Sequence, residues 1–523
     1  MNISKSRFTA YHQCPKMMWL KIYKPEEEVK DKSLETRMED GHRIGALARG
    51  LFGQYADATV LNEDGSPNIV EMIKRTRELI AGGATVIAEA SFSWDGFFCS
   101  VDMLRITEDG LYELYEVKSA SIDMSVEKDV KTKKQQYAPD CGFQKLVLSK
   151  IGLPMKSSNI VLINSQFVKS DKPIEQELSK LFCVINMDDV VNDEYMETIR
   201  NMGHDAMTLA HSESEPEQCL GGHCKKPYDC PFMQYCLSQR GISQKDPVMN
   251  MYRMFWTKKA ELIENGCTSM EDLQNVVTNV NHKLQLSVLK SGVEHINPSG
   301  IQKWLDTVTY PLYFLDFETQ QDAIPEYTGT FPYQQVPFQY SLHIKQTKDS
   351  PLEHREFLGD PNRDPRYDIA KSLVENIPAD ACVIAYNKAF ECTRIKELAA
   401  SFPELSEHLL SIEANIIDLM NPFVHFDYYT PEMNGSFSIK SVLPALFPDS
   451  EELNYHNLNE NVQNGTMAMT VYPAMRHMNE AQIAETRAAL LAYCKLDTLA
   501  MVRVMDKLYE AVGEPVKEVV LNS

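Results

Sequence analysis

Residues 310–319 read YPLYFLDFET, an apolar, strand-forming stretch that contains two acids. Alternate side chains of a strand point to the same face, so Phe314, Asp316 and Glu318 are predicted to share one face. Two carboxylates side by side at the end of a core strand are costly unless a cation neutralises them. The same D-x-E spacing occurs at residues 449–451 in a surface-like loop. The apolar setting, rather than the spacing, therefore predicts a cation site here.

Further polar residues follow in this half of the chain. Glu391 lies where the strand of VIAYNKAFECTRIKELA runs into a helix, and Tyr493 and Asp497 share a face of the helix AQIAETRAALLAYCKLDTLAMVRVMDKLYEA. Four carboxylates from separate elements can hold two cations about 4 Å apart, with a tyrosine positioning the attacking water. Asn387 and Lys440 are candidate substrate contacts, but a turn asparagine and an ordinary helix start explain them equally well.

The motifs DFET, YNKAFE and YCKLDT carry a resemblance that covers about residues 310–510. They resemble the DnaQ-like 3′→5′ exonucleases of the RNase H-like superfamily, in the subgroup whose last motif is Tyr-x-x-x-Asp. They are more similar still to a bacterial family of unknown function that has DFET, YNxxFE and YCxxDT. The resemblance implies a catalytic set that binds Mg²⁺ or Mn²⁺ through its acids: Asp316, Glu318, Glu391, Asp497 and Tyr493. Glu391 stands where the better-known enzymes have aspartate.

A second acidic strand, LYELYEVKS, lies in the first half of the chain. Its alternation places Glu116 and Lys118 on one face. A carboxylate beside an ammonium suits metal-dependent phosphodiester hydrolysis, with Glu116 holding a divalent cation and Lys118 orienting water or neutralising charge. Asp102, in the preceding strand SVDMLRI, is the expected second carboxylate ligand. The E-x-K spacing also occurs at residues 28–30 in a charged loop, so the tripeptide by itself is weak evidence.

The order of the residues in this half is more specific than the tripeptide: His42, Asp102, Glu116, Lys118 and then Gln144. This succession resembles the RecB-type branch of the PD-(D/E)xK nucleases over residues 1–240. The resemblance implies that the first three bind Mg²⁺ or Mn²⁺, that the lysine is catalytic and that the glutamine supports the site. Leu148 stands where a tyrosine often follows that glutamine. A purely structural role for His42 within its helix also stays open.

The twelve cysteines are unevenly distributed, and four fall in one window that begins at Cys219. Cys224, Cys230 and Cys236 are separated by five residues each, without the CxxC pairs of a zinc ribbon. Wide spacings with a remote fourth thiolate suit an iron–sulfur cluster. Together with the motifs above, the cysteines resemble those of the iron–sulfur exonucleases associated with CRISPR systems, which implies Cys14 as the fourth ligand of a structural 4Fe–4S cluster. A zinc site completed by Cys219, or no metal, stays open.

The chain has 523 residues, too many for one core, and its 43% hydrophobic content is that of globular proteins. We predict two α/β domains, restriction-endonuclease-like over 1–240 and RNase H-like over 306–515, joined by a helical connector over 241–305. No membrane-length apolar run and no signal-like start occur, so we expect a cytoplasmic protein. The net charge of −22 argues against a general basic surface for nucleic acid.

The leading hypothesis is a metal-dependent nuclease that hydrolyses phosphodiester bonds in DNA, exonucleolytically at single-stranded ends. Two phosphodiesterase-like constellations in one chain favour nucleic acid as the substrate more than either does by itself. The alternative is a nucleic-acid-binding protein in which one nuclease half is degenerate and serves as an iron–sulfur-stapled clamp, and Glu391 keeps this open. A redox protein would use the cysteines and leave both carboxylate sets unexplained.

Overall fold

The computed structural model describes residues 2–30 and 32–513, which form an α/β protein of two compact units. The first unit runs to Ser243 and also includes Trp256–Asn265 and Ala323–Tyr333. The second unit comprises Gln244–Phe255, Gly266–Asp322 and the chain from Gln334 onward. The predicted connector, 241–305, is thus divided between the two units. In the described ranges, no helix combines the length and the apolar character needed to cross a membrane.

The first unit contains a mixed sheet and the helices that pack on it. Its strands are β1 (Ile3–Ser4), β2 (Ala56–Asp57), β3 (Val86–Trp94), β4 (Phe97–Ile106), β5 (Tyr112–Ile122), β6 (Met155–Asn164) and β7 (Phe182–Asn186). Its helices are α1 (Lys5–Gln13), α2 (Pro15–Tyr23), α3 (Lys32–Ala48), α4 (Ile69–Ala81), α5 (Glu127–Lys150), α6 (Leu178–Leu181), α7 (Asp193–Ala210), α8 (Met233–Ser238) and α9 (Trp256–Glu264).

The strand order of the first sheet is β2-β3-β4-β5-β6-β7, with β1 paired to β4. Strands β3, β4 and β5 form an antiparallel meander, and α5 then connects β5 to the parallel strand β6. A parallel pair needs such a crossover because a short turn cannot return the chain to the end of the sheet at which the first strand starts. Phe143 of α5 stacks on Phe8 of α1 and meets Phe97 edge-on, so both helices share the core with the sheet. The strands SVDMLRI and LYELYEVKS predicted in this half lie in β4 and β5.

The second unit also contains a mixed sheet. Its strands are β8 (His295–Ile296), β9 (Leu312–Gln321), β10 (Gln335–Lys345), β11 (Leu352–Leu358), β12 (Cys382–Ala385), β13 (Ile416–Asp418) and β14 (Tyr428–Tyr429). Its helices are α10 (Met270–Val276), α11 (Val280–Ser291), α12 (Pro298–Leu305), α13 (Arg366–Asn376), α14 (Ala389–Ser401), α15 (Pro403–Ala414), α16 (Asn421–Val424), α17 (Ile439–Leu446), α18 (Gly465–Ala474) and α19 (Glu480–Ala511).

The strand order of the second main sheet is β11-β10-β9-β12-β13. Strands β9, β10 and β11 are antiparallel neighbours, whereas β12 pairs in parallel with both β9 and β13. The long helix α19 starts at a capping box between Asn479 and Gln482, which satisfies backbone groups at its first turn. The central strand β9 is buried along most of its length. Its two acids therefore lie inside the unit, as the apolar run predicts.

Candidate metal-binding active sites

The first site is centred on Glu116 of β5, whose side chain is 2% exposed. Lys5 Nζ lies 2.7 Å from Oε1 and 2.8 Å from Oε2 of this carboxylate. Lys118 Nζ lies 2.9 Å from Oε1, and Gln144 Nε2 donates to Oε2 at 2.7 Å. Burial opposes ionisation, but the two ammonium groups outweigh it and lower the pKa of Glu116 to about 2. The carboxylate is therefore charged and fully surrounded by donors.

Two more acids flank Glu116 in the first site. Asp102 of β4 accepts a hydrogen bond from the backbone nitrogen of Val117 at 2.7 Å, and burial together with Glu116 raises the pKa of Asp102 to about 7. Asp140 of α5 lies 2.6 Å from Lys118 Nζ. Lys118 is thus held from two sides. Carboxylate oxygens are ligands that Mg²⁺ and Mn²⁺ prefer, but those of Glu116 are already contacted by protein donors.

The structure brings four of the five predicted first-site residues together: Asp102, Glu116, Lys118 and Gln144. His42 lies on α3 with an exposed side chain, and in the part of the chain that the structure describes no hydrogen bond or ion pair joins it to the acids. The sequence reasoning missed Lys5 and Asp140. Asp140 could have been found, because it lies one helical turn before Gln144 on the same face. No local pattern marks Lys5, which is 111 residues from Glu116.

The predicted cluster ligands line one enclosed cavity in the first unit: Cys14, Cys224, Cys230 and Cys236. Cys14 is the single residue between α1 and α2, and the other three come from the window that ends in α8. All four are free thiols, and burial raises the pKa of each, that of Cys230 to about 12. Cys219 also lines the cavity, but its side chain is exposed. The remote thiol and the window therefore meet.

The described thiols do not come together in threes as closely as the ligands of a zinc ion. A tetrahedral zinc ion with bonds of about 2.3 Å holds its sulfur ligands about 3.8 Å apart. Within residues 2–30 and 32–513, no three of these thiol sulfurs lie within 4.8 Å of one another. Three acid and cysteine ligand atoms that do lie this close are in the second unit. Thiols farther apart than zinc ligands are compatible with the larger core of an iron–sulfur cluster, which takes four thiolates. Cys14 and Cys224 are buried, whereas Cys230 and Cys236 are partly buried.

The second site is a cavity of about 340 Å³ in the second unit. Its walls include every residue predicted for this half: Asp316, Glu318, Glu391, Tyr493 and Asp497. The central strand β9 supplies the first pair of acids, the first turn of α14 supplies Glu391, and successive turns of α19 supply the tyrosine and the last aspartate. The cavity therefore joins three elements that are far apart in sequence.

Burial raises the pKa of all four acids of the second site. Burial, followed by the neighbouring carboxylates, raises the pKa of Asp316 and of Glu318 well above their usual range. Burial also raises the pKa of Glu391 to about 8 and that of Asp497 to about 6. Glu391 Oε2 is buried and has no hydrogen-bond partner within the described residues. An unpaired buried oxygen amid carboxylates fits a site for divalent cations.

Two tyrosines and a lysine complete the chemistry of this cavity. Lys440 Nζ lies 3.0 Å from the hydroxyl of Tyr493, and the hydroxyl of Tyr455 donates to Asp497 Oδ1. Lys440 also lies over both aromatic rings. Tyr455 was not predicted, because the short 3₁₀ turn that carries it has no motif. The tyrosine pair fixes the orientation of the hydroxyl and carboxylate oxygens at one wall of the cavity.

Asn387 and Cys494 occupy special positions beside the second site. Asn387 lines the cavity in the left-handed backbone conformation, φ 64°, and its backbone nitrogen donates to Asp418 Oδ1 at 2.9 Å. Asparagine tolerates this conformation better than most residues. The buried thiol of Cys494 lies 3.8 Å from Asp316 Oδ2. Both contacts position backbone or carboxylate groups of the cavity wall.

Comparisons with known proteins find a match to a domain of unknown function and similarity to uncharacterized proteins. The model of a domain of unknown function, DUF2779, matches residues 313–438. An uncharacterized protein of Mycoplasma pneumoniae, the MG366 homolog, is 29% identical over 218 residues, which are 38% of this chain and 32% of that protein. The uncharacterized protein UU173 of Ureaplasma parvum is 30% identical over 211 residues, 36% of this chain and 30% of that protein.

A third relative, the uncharacterized protein MG366 of Mycoplasma genitalium, is 26% identical over 208 residues, 37% of this chain and 31% of that protein. The chain therefore spans about a third of the length of the curated relatives it matches. No solved structure matches the chain. The matched domain begins on β9 and ends just before α17, so it includes Asp316, Glu318 and Glu391.

Proposed function

We propose that the protein is a cytoplasmic, metal-dependent nuclease that hydrolyses phosphodiester bonds in DNA, starting from free single-stranded ends. The observation that supports this most directly is the convergence of four carboxylates and Tyr493 on one cavity of the second unit. Such an acidic cavity would repel a phosphate unless divalent cations occupied it. Two bound Mg²⁺ or Mn²⁺ ions would supply charge neutralisation at the attacking and leaving oxygens of an in-line displacement.

The side chains of the second site then have separate tasks. The four acids that would hold the cations are Asp316, Glu318, Glu391 and Asp497. Tyr493, fixed by the 3.0 Å contact from Lys440, orients the attacking water through its hydroxyl. Lys440 adds the positive charge that a phosphate needs on entering an acidic cavity. Tyr386 and Phe390 also line the cavity and offer aromatic faces on which the terminal base can stack.

The first site is proposed as a second nuclease centre of the PD-(D/E)xK type. Asp102 and Glu116 would hold one divalent cation, and Lys118 would neutralise the charge that develops on the scissile phosphate. Lys118 suits this task because Glu116 and Asp140 hold its ammonium in place. The four cysteines would bind a structural 4Fe–4S cluster that ties the α1–α2 junction to the window before α9, closing a loop of more than 200 residues.

One observation favours the alternative, a nucleic-acid-binding protein with one degenerate half. Every oxygen of Glu116 is occupied by protein donors, so the first site is self-neutralised without a metal ion. In this alternative the first unit binds the strand and the second unit cleaves it. Loss of cleavage in Asp316→Ala, with cleavage unchanged in Lys118→Ala, would select the alternative over a two-headed nuclease.

The test is degradation of end-labelled DNA by the full chain with Mg²⁺ or Mn²⁺. Single-stranded, double-stranded and RNA substrates are compared for the wild type, Lys118→Ala, Asp316→Ala and the double variant. We expect wild-type cleavage of single-stranded DNA, loss of all cleavage in the double variant, and none in any sample with excess chelator. DNA binding by a wild type that does not degrade any substrate would contradict nuclease function.

A further inference from the structure

The carboxylate of Glu116 has no acceptor position left for a metal ion. A carboxylate offers about four lone-pair positions. Oε1 of Glu116 is contacted by Lys5 and Lys118, and Oε2 is contacted by Lys5 and Gln144. These contacts are between 2.7 and 2.9 Å, so all are short, charge-assisted interactions or close hydrogen bonds. A divalent cation can bind Glu116 when one donor leaves.

The three donors differ in how firmly they are held. Gln144 is fully buried, and its Nε2 also donates to the carbonyl oxygen of Asp140 at 3.2 Å. Lys118 has a second ion pair with Asp140 at 2.6 Å. Lys5 is 23% exposed, and across residues 2–30 and 32–513 its ammonium forms direct bonds with Glu116 and no other group. Lys5 is therefore the donor that can leave toward solvent at the lowest cost.

We propose that Lys5 is an internal cation that competes with the divalent metal ion for Glu116, and so acts as a positioning residue for metal entry. This inference rests on the proposed function of the first site. Exchange of one cation for another keeps the buried carboxylate neutralised at each stage, whereas an unpaired buried charge is strongly destabilising. The metal affinity of the first site is lowered by the free energy of displacing Lys5.

The location of Lys5 supports this exchange. Lys5 is the first residue of α1, directly after β1, which pairs with the start of β4. Its charge also acts on Asp102 and on Glu89, which is held at 2.9 Å by Arg49. Released from Glu116, the ammonium would remain among these acids at the mouth of the first site. There it could pair with a phosphate of the substrate.

The first test measures Mn²⁺ affinity by electron paramagnetic resonance in the full chain. Asp316→Ala removes a ligand of the second site, so this variant is compared with Asp316→Ala carrying Lys5→Met. We expect Lys5→Met to tighten Mn²⁺ binding roughly 10- to 100-fold, the range for loss of a competing charged hydrogen bond. A merely structural lysine would give equal or weaker binding when removed.

Arg49→Met is the matched control, because it removes a nearby positive charge that bonds to Glu89 and Asp57 instead of Glu116. We expect it to change Mn²⁺ affinity by less than about fivefold, as for a partly exposed pair. An equal gain in Lys5→Met and Arg49→Met would show a general field effect and would overturn the competition. Mn²⁺ binding that is absent in both would overturn it together with metal binding at the first site.

A second measurement uses protein in which Lys5 is not substituted. Reductive methylation with mass spectrometry reports how accessible the Lys5 ammonium is in the Asp316→Ala protein. We expect Mn²⁺ to increase methylation of Lys5 roughly tenfold as the ion pair opens, and to leave Lys21, paired with Glu28, unchanged. Protection of Lys5 at saturating Mn²⁺ would overturn the inference. Cleavage at the second site, measured in Lys118→Ala, would still test the proposed nuclease function independently.

Discussion

Glu116 in the first unit and Asp316 in the second are both acids on an interior strand, yet their surroundings have opposite charge. Two lysines lower the pKa of Glu116 to about 2 despite its burial. Burial and the neighbouring carboxylates raise the pKa of Asp316 well above its usual range. A buried carboxylate must be neutralised by a partner or by a proton. The first unit supplies the partner from its own side chains, whereas the second leaves room for cations from solution.

This difference indicates separate roles for metal ions at the two sites. At the second site, a bound metal ion would relieve repulsion among carboxylates, and the protein would gain stability from it. At the first site, a metal ion would have to displace an existing ion pair, so the gain would be smaller. Variants that alter one site and leave the other intact test this difference.

The largest expected effect is the loss of second-site cleavage in Asp316→Ala. In a Lys118→Ala background, removal of this acid from the cavity should lower cleavage of single-stranded DNA at least ~10²–10³-fold, the cost of losing one preorganised electrostatic contributor. The stepwise shortening of a 5′-labelled strand measures the rate. Asp449→Ala is the control, because Asp449 belongs to the exposed D-x-E of residues 449–451. A 3′-blocked strand degraded as fast as an unblocked strand would contradict 3′→5′ polarity.

Lys118→Ala tests the first site in the same way. In an Asp316→Ala background, the remaining cleavage should fall about 10²-fold or more, the range for a positioned catalytic group. Mn²⁺ binding should survive, because an ammonium does not coordinate cations, whereas Glu116→Ala should lose both properties. Cleavage at the starting rate after Lys118→Ala would show that the first site has no PD-(D/E)xK activity.

Cys14→Ser tests whether the first unit depends on a cluster that the second unit lacks. Anaerobically purified wild type should be brown with about four irons per chain. Cys14→Ser should lose the iron and destabilise the first unit by about 2–4 kcal/mol, as loss of a long-range cross-link does. Iron analysis and chemical unfolding measure these changes, and second-site cleavage should persist. Cys219→Ser is the control, and full iron content in Cys14→Ser would place the fourth ligand elsewhere.

Glu116 and Glu391 predict opposite pH profiles for the free energy of unfolding of metal-free protein. The lowered pKa of Glu116 gives stability that is present above its ordinary pKa of 4.5 and is lost as pH falls toward about 2. The raised pKa of Glu391 gives a penalty that grows as pH rises from 4.5 to about 8. We expect Glu391→Gln to be near neutral at pH 4.5 and to stabilise by about 1–3 kcal/mol at pH 8.

Glu116→Gln should behave in the opposite sense, destabilising the protein by about 1–3 kcal/mol at pH 7 and by less at pH 4. Urea unfolding in the presence of a chelator measures both variants against the wild type across this pH range. Parallel profiles for the two variants would contradict the difference between the sites. Added Mn²⁺ should reduce the gain from Glu391→Gln, because the metal ion neutralises the wild-type carboxylate.

The strands and helices of both units were predictable where one element has its own hydrophobic pattern. Strands β3–β6 and β9 are long and apolar, and the helix α19 is continuous over Glu480–Ala511. The second site was predictable because each acid lies within a local motif on such an element. Periodicity reports which face of an element is buried, and this information is local.

Contacts between remote segments were not predictable in this way. Lys5 reaches Glu116 across 111 residues, and no neighbouring residue marks it as a site residue. The short helices of 241–305 divide between the units, α9 to the first and α10–α12 to the second, because a short helix does not encode which core it packs on. His42 occurs at the expected place in the sequence order of the first-site residues, but its side chain is exposed on α3. The position of a residue along a helix does not determine whether its side chain points toward a site.

The smallest expected effect is that of Tyr493→Phe at the second site. The ring of Tyr493 is buried, and phenylalanine keeps its packing, so the four carboxylates and their cations stay in place. The change removes the hydroxyl that Lys440 contacts at 3.0 Å, which costs the orientation of the attacking water. We expect a loss of no more than about tenfold in single-turnover cleavage, equivalent to one hydrogen bond. Tyr472→Phe, at a buried tyrosine stacked on Phe338 and outside the cavity lining, is the control and should cleave at the wild-type rate. A loss in Tyr493→Phe as large as that in Asp316→Ala would mean that the hydroxyl takes part in the chemistry itself, and would move the second site away from a purely metal-driven hydrolysis.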